Sequence, residues 1–393
     1  MVRRPSRRAR VAQWLMLLGL AAVGWYLFSN AADNIEQRNI PFGFGYLENT
    51  ANFDIPFHLI SFVSADTYAR ALLVCVLNTL LVSAMSIVAA SLLGLLVGIM
   101  RLSTNWLVRN LALGFIELVR NTPMLVQIIF WYVAVMQTLP GPRQSIVLPG
   151  RMLLNIRGIY LPVPVFGPDA ATLGWIAVAL LVATPLVWRL RIPPLRPPGR
   201  RPLGLDAPGS GRFGGRPVGM KALVLPCLAL VVLALGIDHV DAPGLRGFNI
   251  AGGVQLPPEL AALWAGLSIY AAAFIAEIVR STIQAVQYGQ REAALSLGLR
   301  PGQVLFLVVL PQALRMMLPP MTSQYLNIIK SSSLGAAVGY PEIFQIFAGT
   351  VLMQSGRETE TFLIVMAVFL GINLSVSAVM NWINRRVSLQ VVR

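Results

Sequence analysis

The chain carries little acid–base chemistry. Its two histidines, His58 and His239, stand alone, and its two cysteines, Cys75 and Cys227, lie inside apolar runs. No Cys/His spacing suits a metal, and no Ser/His/Asp group or paired carboxylates suit a membrane enzyme. The cysteines read as small buried residues, because a disulfide would need two separate membrane segments to meet. The ionisable residues that do enter apolar runs are few and costly there. Glu117 and Arg120 stand three residues apart, and Glu277 and Arg280 repeat that spacing. On a helix each pair shares a face and neutralises itself locally. Such pairs serve either as structural ion pairs at headgroup depth or as the lining of a gate. Further on, Gln324, Asn327 and Ser331 recur at helical spacing and can hydrogen-bond the amino and carboxyl groups of a zwitterion. Lys330 beside them either attracts a carboxylate or reaches to the outer surface.

These residues need membrane helices to hold them. Of 393 residues, 56% are hydrophobic and 12% charged, against about 25% charged in soluble domains. That excludes a soluble enzyme, a disordered tail and a fibrous protein. Apolar runs fall at about 12–29, 71–100, 110–138, 172–188, 222–238, 258–282, 312–330 and 361–384. The expectation is an all-α polytopic membrane protein with about eight transmembrane helices. The net charge of +15 sits in short clusters between apolar runs, which speaks for membrane topology and against nucleic acid. With alternating sides, the inside segments hold 20 Lys/Arg and the outside segments 8, so both termini are expected in the cytoplasm. Arg3, Arg4, Arg7, Arg8 and Arg10 precede the first run, and Ser29-Asn30-Ala31 is a weak cleavage site. An uncleaved anchor is expected, since the run is long for a signal core. Residues 189–221 form a basic, Pro/Gly-rich inner loop suited to anionic lipid. Residues 139–171 and 239–257 read as outer loops.

The most specific pattern lies between the runs at 258–282 and 312–330. Arg291-Glu292-Ala293-Ala294 leads to Gly298, and Val308-Val309-Leu310-Pro311 follows. It reads as a short helix, a glycine break, then a second helix that Pro311 stops or kinks. Glu292 and the alanines make a small, flat face with one charge, able to sit in a groove on a soluble partner. Here the chain resembles the permease subunit of bacterial ATP-binding-cassette importers. The resemblance implies a type I importer permease core whose loop 285–311 docks on an ATPase. It gives that coupling role to Glu292, Ala293, Ala294, Gly298, Leu310 and Pro311.

Two further stretches narrow the resemblance. Glu117-Leu-Val-Arg120-Asn121-Thr122-Pro123 runs on to Gln127, and Phe274-Ile-Ala-Glu277-Ile-Val-Arg280-Ser281 precedes the loop. Both resemble the polar-amino-acid permeases, and the extra length resembles the longer permeases of general L-amino acid uptake. Pro123 breaks helical bonding at membrane depth, and the freed backbone groups need protein or a water-filled path. Candidate pathway or gate residues are therefore Glu117, Arg120, Thr122, Pro123, Gln127, Glu277, Arg280, Gln324, Asn327, Lys330 and Ser331. The expected organisation is an anchor helix and periplasmic loop (1–70), a first core part (71–138), an insertion with two extra helices and a basic loop (139–258), and a second core part (259–393).

The resemblance implies no cofactor, no enzymatic activity of its own, and a place in the bacterial inner membrane. It implies two ATPase subunits, a periplasmic amino-acid-binding protein, an L-amino acid substrate, and a related permease or a second copy as partner. The chain has no Gly-x-x-x-x-Gly-Lys-Ser/Thr loop to hydrolyse ATP itself. The alternative is a secondary amino-acid transporter driven by an ion gradient.

Overall fold

The structure is a computed structural model and describes residues 7–37, 43–168, 172–176, 178–180, 228, 235–247 and 249–389. Most of the expected runs at 172–188 and 222–238, the basic loop 189–221 and Cys227 lie outside the described residues. In chain order the helices used below are α1 Arg7–Gln37, α2 Tyr68–Arg101, α3 Trp106–Arg120, α4 Met124–Ile129, α5 Pro258–Gln284, α6 Tyr288–Ser296, α7 Pro301–Val304, α8 Leu310–Ser331, α9 Leu352–Ser355 and α10 Glu358–Leu389. Among the described residues four helical runs are long and apolar enough to cross a membrane: α2, α5, the run 301–338 and α10. A bent pair built on α3 and α4 makes a fifth if counted as one span. The expected first span lies within α1, which continues unbroken through Ser29-Asn30-Ala31. Its apolar stretch, Val11–Leu27, falls just short of spanning length.

The chain divides into two compact units. The first comprises 1–81 and 341–376. Its core gathers Tyr46, Ile55 and Phe62 from the segment after α1, Cys75 from α2, and Ile343, Phe347, Val351 and Val365. The segment expected only as an outer loop is thus folded down by its own aromatic and branched residues. Asn78 and Thr79, both fully buried, tie the turn before residue 344 to α2. Asn78 Nδ2 donates to Phe57 O and Pro341 O, both at 2.9 Å. Thr79 Oγ1 accepts from Ile343 N at 3.2 Å.

The second unit comprises 82–340 and 377–393. Here α2 meets α5 along a seam of small residues. A Cβ added to Gly94 would lie 2.6 Å from Ile275 Cγ2 and 2.9 Å from Ala272 O. One added to Gly98 would lie 2.8 Å from Val279 Cβ and 2.9 Å from Ala276 O. Both glycines advance four residues as their partners do, so the two helices run parallel. Two apolar helices gain little from burial inside lipid, so such close backbone approach supplies the contact.

The run 110–138 breaks at Pro123, as a proline inside an apolar helix leads one to expect: α3 and the helix beginning at Met124 meet at 102°. One expectation is corrected here: the fold is not all-α. The segments expected as outer loops hold strands β1 Ile146–Leu148, β2 Met152–Asn155, β3 Gly158–Leu161, β4 Val163–Phe166, β5 Ile237–Asp241, β6 Gly244–Arg246, β7 Asn249–Ala251 and β8 Val254–Leu256. They form an antiparallel sheet in the order β1-β2-β3-β8 and two further antiparallel pairs, β4-β5 and β6-β7. Branched and aromatic side chains favour these strands. Gly158 is required at its place: its φ is +115°, and a Cβ would lie 2.0 Å from Leu256 O across the sheet.

Gly98→Leu should overpack the α2–α5 seam and lower the thermal midpoint of the purified protein, at a cost of about 1–3 kcal/mol. Gly114→Ala, where nothing lies within 4 Å of the new Cβ, should not lower it. Equal effects at both positions would mean that the seam is not closely packed.

Candidate functional site

The stretch after α5 is a compact two-helix element. Arg291 Nη2 donates to Ile283 O at 2.7 Å, satisfying a carbonyl in the last turn of α5 that has no helical partner. This bond holds α6 against the end of α5. Ala294 turns inward to the cluster of Val286, Val304 and Val309. The opposite face of α6 displays Tyr288, Glu292, Ala293 and Leu295, all exposed.

Gly298 ends α6 with φ +80°. Leu299 N donates to Ala294 O at 3.3 Å and Gly298 N to Leu295 O at 2.9 Å, the paired bonds of a Schellman motif. Nothing crowds the position, so the left-handed backbone is what demands glycine there. Leu297, 83% exposed, stands at the tip. The next helix starts at Pro301, and Arg300 N donates to Gln303 Oε1 at 2.9 Å. Pro311 neither stops nor breaks it. A π-helical turn at Leu305–Val309 absorbs the missing donor, and the helical run continues from Pro301 to Val338. Leu310 and Pro311 therefore belong to a span, while Glu292, Ala293 and Gly298 belong to the exposed element.

The two Glu-x-x-Arg pairs behave differently. Arg280 grips Glu277 with two donors, Nε to Oε2 at 3.0 Å and Nη2 to Oε1, and its Nη1 reaches Gln284. Glu117 and Arg120 do not pair. Asn121 Nδ2 donates to Glu117 Oε2 at 3.3 Å, while the Arg120 guanidinium lies 5.2 Å over the Phe274 ring. Equal spacing gives different outcomes because α3 ends at Arg120 and an aromatic face from α5 competes for it.

Thr122, Pro123 and Gln127 build the bend. Thr122 Oγ1 donates back to Leu118 O at 2.8 Å, and Pro123 starts α4. Gln127, buried, donates from Nε2 to Val119 O at 2.9 Å and to Thr122 O at 3.1 Å. Val119 O also holds a long backbone bond from Thr122 N at 3.4 Å; Gln127 adds to it and meets Thr122 O, so it closes the bend from within. On α8, Gln324 and Ser331 are half-buried, and Asn327 and Lys330 are exposed. Helix α8 carries Gln324, Asn327 and Ser331 at i, i+3 and i+7, hence on one side of the helix.

A buried carboxyl was not singled out by the sequence reading. Glu342 is fully buried, in the stretch of sequence that follows the run 301–338 and precedes α10. Its carboxylate accepts from Phe344 N at 2.8 Å and Gln345 N at 2.6 Å, capping the helix that follows. Burial pushes its pKa up to about 7, and those two backbone donors oppose the rise. The signal in the sequence is Pro341-Glu342 ahead of an apolar run, a helix-start pattern.

Apolar spans joined by a short exposed helix are the frame of a helical membrane protein. The chain belongs to the amino-acid ABC transporter permeases, and residues 215–389 match the family described as the binding-protein-dependent transport system inner membrane component. It is 45% identical over 98% of its length, and 95% of the relative's, to YhdX of Escherichia coli, provisionally named an amino-acid ABC transporter permease. It is 41% identical, over 98% of its length and 93% of the relative's, to the general L-amino acid transport system permease AapQ of Rhizobium johnstonii. The glutamate/glutamine/aspartate/asparagine transport system permease BztB of Rhodobacter capsulatus is 37% identical, over 96% of this chain and 92% of its own.

Gln127→Leu should expose the carbonyls at the bend and destabilise the protein by about 1–3 kcal/mol, read as a lower thermal midpoint. A second prediction concerns pH. A carboxyl whose folded pKa is raised adds stability below its ordinary value of 4.5 that is lost as pH rises through about 7. Stability should therefore fall across that window, and Glu342→Gln should flatten the fall. An unchanged pH profile in Glu342→Gln would remove Glu342 as its source.

Proposed function

We propose that this chain is the permease subunit of an ATP-driven importer that carries L-amino acids, polar or broad-range, across the bacterial inner membrane. The exposed face of α6 carries the reading. A short helix, fixed by Arg291 at one end and by the Gly298 turn at the other, presents a single charge, Glu292, among small and apolar side chains. This is what a groove on an ATPase subunit would grip. Glu292, Ala293, Ala294 and Gly298 form the coupling element, and Leu310 and Pro311 join it to the next span.

ATP hydrolysis belongs to two separate ATPase subunits. Their closure on α6 shifts the permease between outward- and inward-facing states. A periplasmic amino-acid-binding protein supplies the substrate, and a related permease or a second copy completes the membrane part. The names of AapQ and BztB support the substrate class. The positive-inside count supports both termini in the cytoplasm and eight spans in a type I arrangement. Glu277 and Arg280 serve a gate at the cytoplasmic end, with Gln324, Asn327, Lys330 and Ser331 along the path. Nothing observed favours the gradient-driven alternative.

Glu292→Lys should abolish amino-acid uptake and the co-purification of an ATPase, with insertion unchanged. The check is uptake by membrane vesicles together with a pull-down from gently solubilised membranes. Normal uptake by this variant would overturn the coupling assignment.

A further inference from the structure

The α2–α5 seam changes character towards the N-terminal ends of both helices. Stepping back four residues at a time on α2 leads from Gly98 and Gly94 through Ala90 to Ser86, with Ser83 beyond it. On α5 the same steps lead from Ala276 and Ala272 to Ser268 and Trp264. The helices stay together at this level, since Ala90 and Ala271 share one buried cluster. Ser83, Ser86 and Ser268 are only 3%, 0% and 5% exposed. Yet their hydroxyl oxygens, and Nε1 of Trp264, are buried with no hydrogen-bond partner from the protein. Ser91, on a neighbouring face of α2, is by contrast well served: it donates to Ile87 O at 2.6 Å and meets Tyr325 OH at 2.9 Å.

Four orphaned polar atoms on two facing stripes are costly if left bare. Folded proteins meet such groups with ordered water, which needs two to four polar partners and enough room. Small side chains at Ser83, Ser86, Ala90 and Ser268 give the room. Three hydroxyls that donate and accept, with one indole donor, give the partners. We propose that the N-terminal half of the α2–α5 seam is a buried hydration site, where ordered water links Ser83 and Ser86 to Ser268 and Trp264. The seam then has a dry half closed by glycine and a wet half closed by water. The argument rests on helix register and burial, independently of the importer reading.

The test uses the intact transporter in lipid nanodiscs. The indole N–H band of Trp264 is isolated by ultraviolet resonance Raman as the difference between wild type and Trp264→Phe. A hydrogen-bonded indole, weakened in the Ser86→Ala/Ser268→Ala double variant, is expected. A free indole in the wild type, or a band unmoved by the double variant, overturns the proposal. Should Trp264→Phe fail to assemble, a thermal double-mutant cycle decides. Shared water makes the combined loss from Ser86→Ala and Ser268→Ala differ from the sum of the single losses, whereas simple additivity overturns the site.

Discussion

Close packing of α2 on α5 through Gly94 and Gly98 is the constraint on which the second unit depends. Lipid offers no hydrophobic reward for bringing two apolar helices together, so backbone proximity has to supply it. Ile275, Ala272, Ala276 and Val279 fill the space that the glycines leave. With that contact made, the remaining faces of α5 are free for other elements. Gly266 takes Ile128 of α4, where a Cβ would lie 2.7 Å from Ile128 Cγ1. Phe274 takes Arg120, and the last turn of α5 takes Arg291. One helix thus sets the place of both the bend and the exposed α6 element.

The same economy appears in how the backbone is satisfied. Each interruption of helix is closed by a side chain or turn nearby: Gln127 at the 102° bend, Arg291 at the end of α5, Gly298 at the end of α6, and Glu342 ahead of residue 344. In lipid or at its edge, an open carbonyl or amide has no water to fall back on. Residues of this kind look like functional polar groups in a sequence, and here each also carries a structural bond or turn.

How much was legible follows from that physics. The long apolar helices show as composition alone, and the exposed element shows because Glu292, the alanines and Gly298 stand at distinctive spacing. The break shows in Pro123, but its 102° angle does not, because apolar residues run straight across it and the side chain that secures it, Gln127, lies four residues further on. The strands did not show because each is three to five residues long, within segments whose prolines and glycines read as loops. The two Glu-x-x-Arg pairs look identical in sequence, and only the third partner, Phe274, separates them. Pro311 reads as a stop or a kink, because the π-helical turn before it leaves no mark in residue type.

The pairing of β3 with β8 has an architectural consequence. Leu161 lies opposite Val254, so residues 162–253 leave and return within one strand spacing, about 5 Å. To the helices on either side, that whole excursion is a closed parenthesis. Its length is decoupled from the geometry of α4 and α5, since adding or removing residues inside a closed loop changes the closing entropy only logarithmically. The permease core can therefore host excursions of very different size at this point without being redesigned.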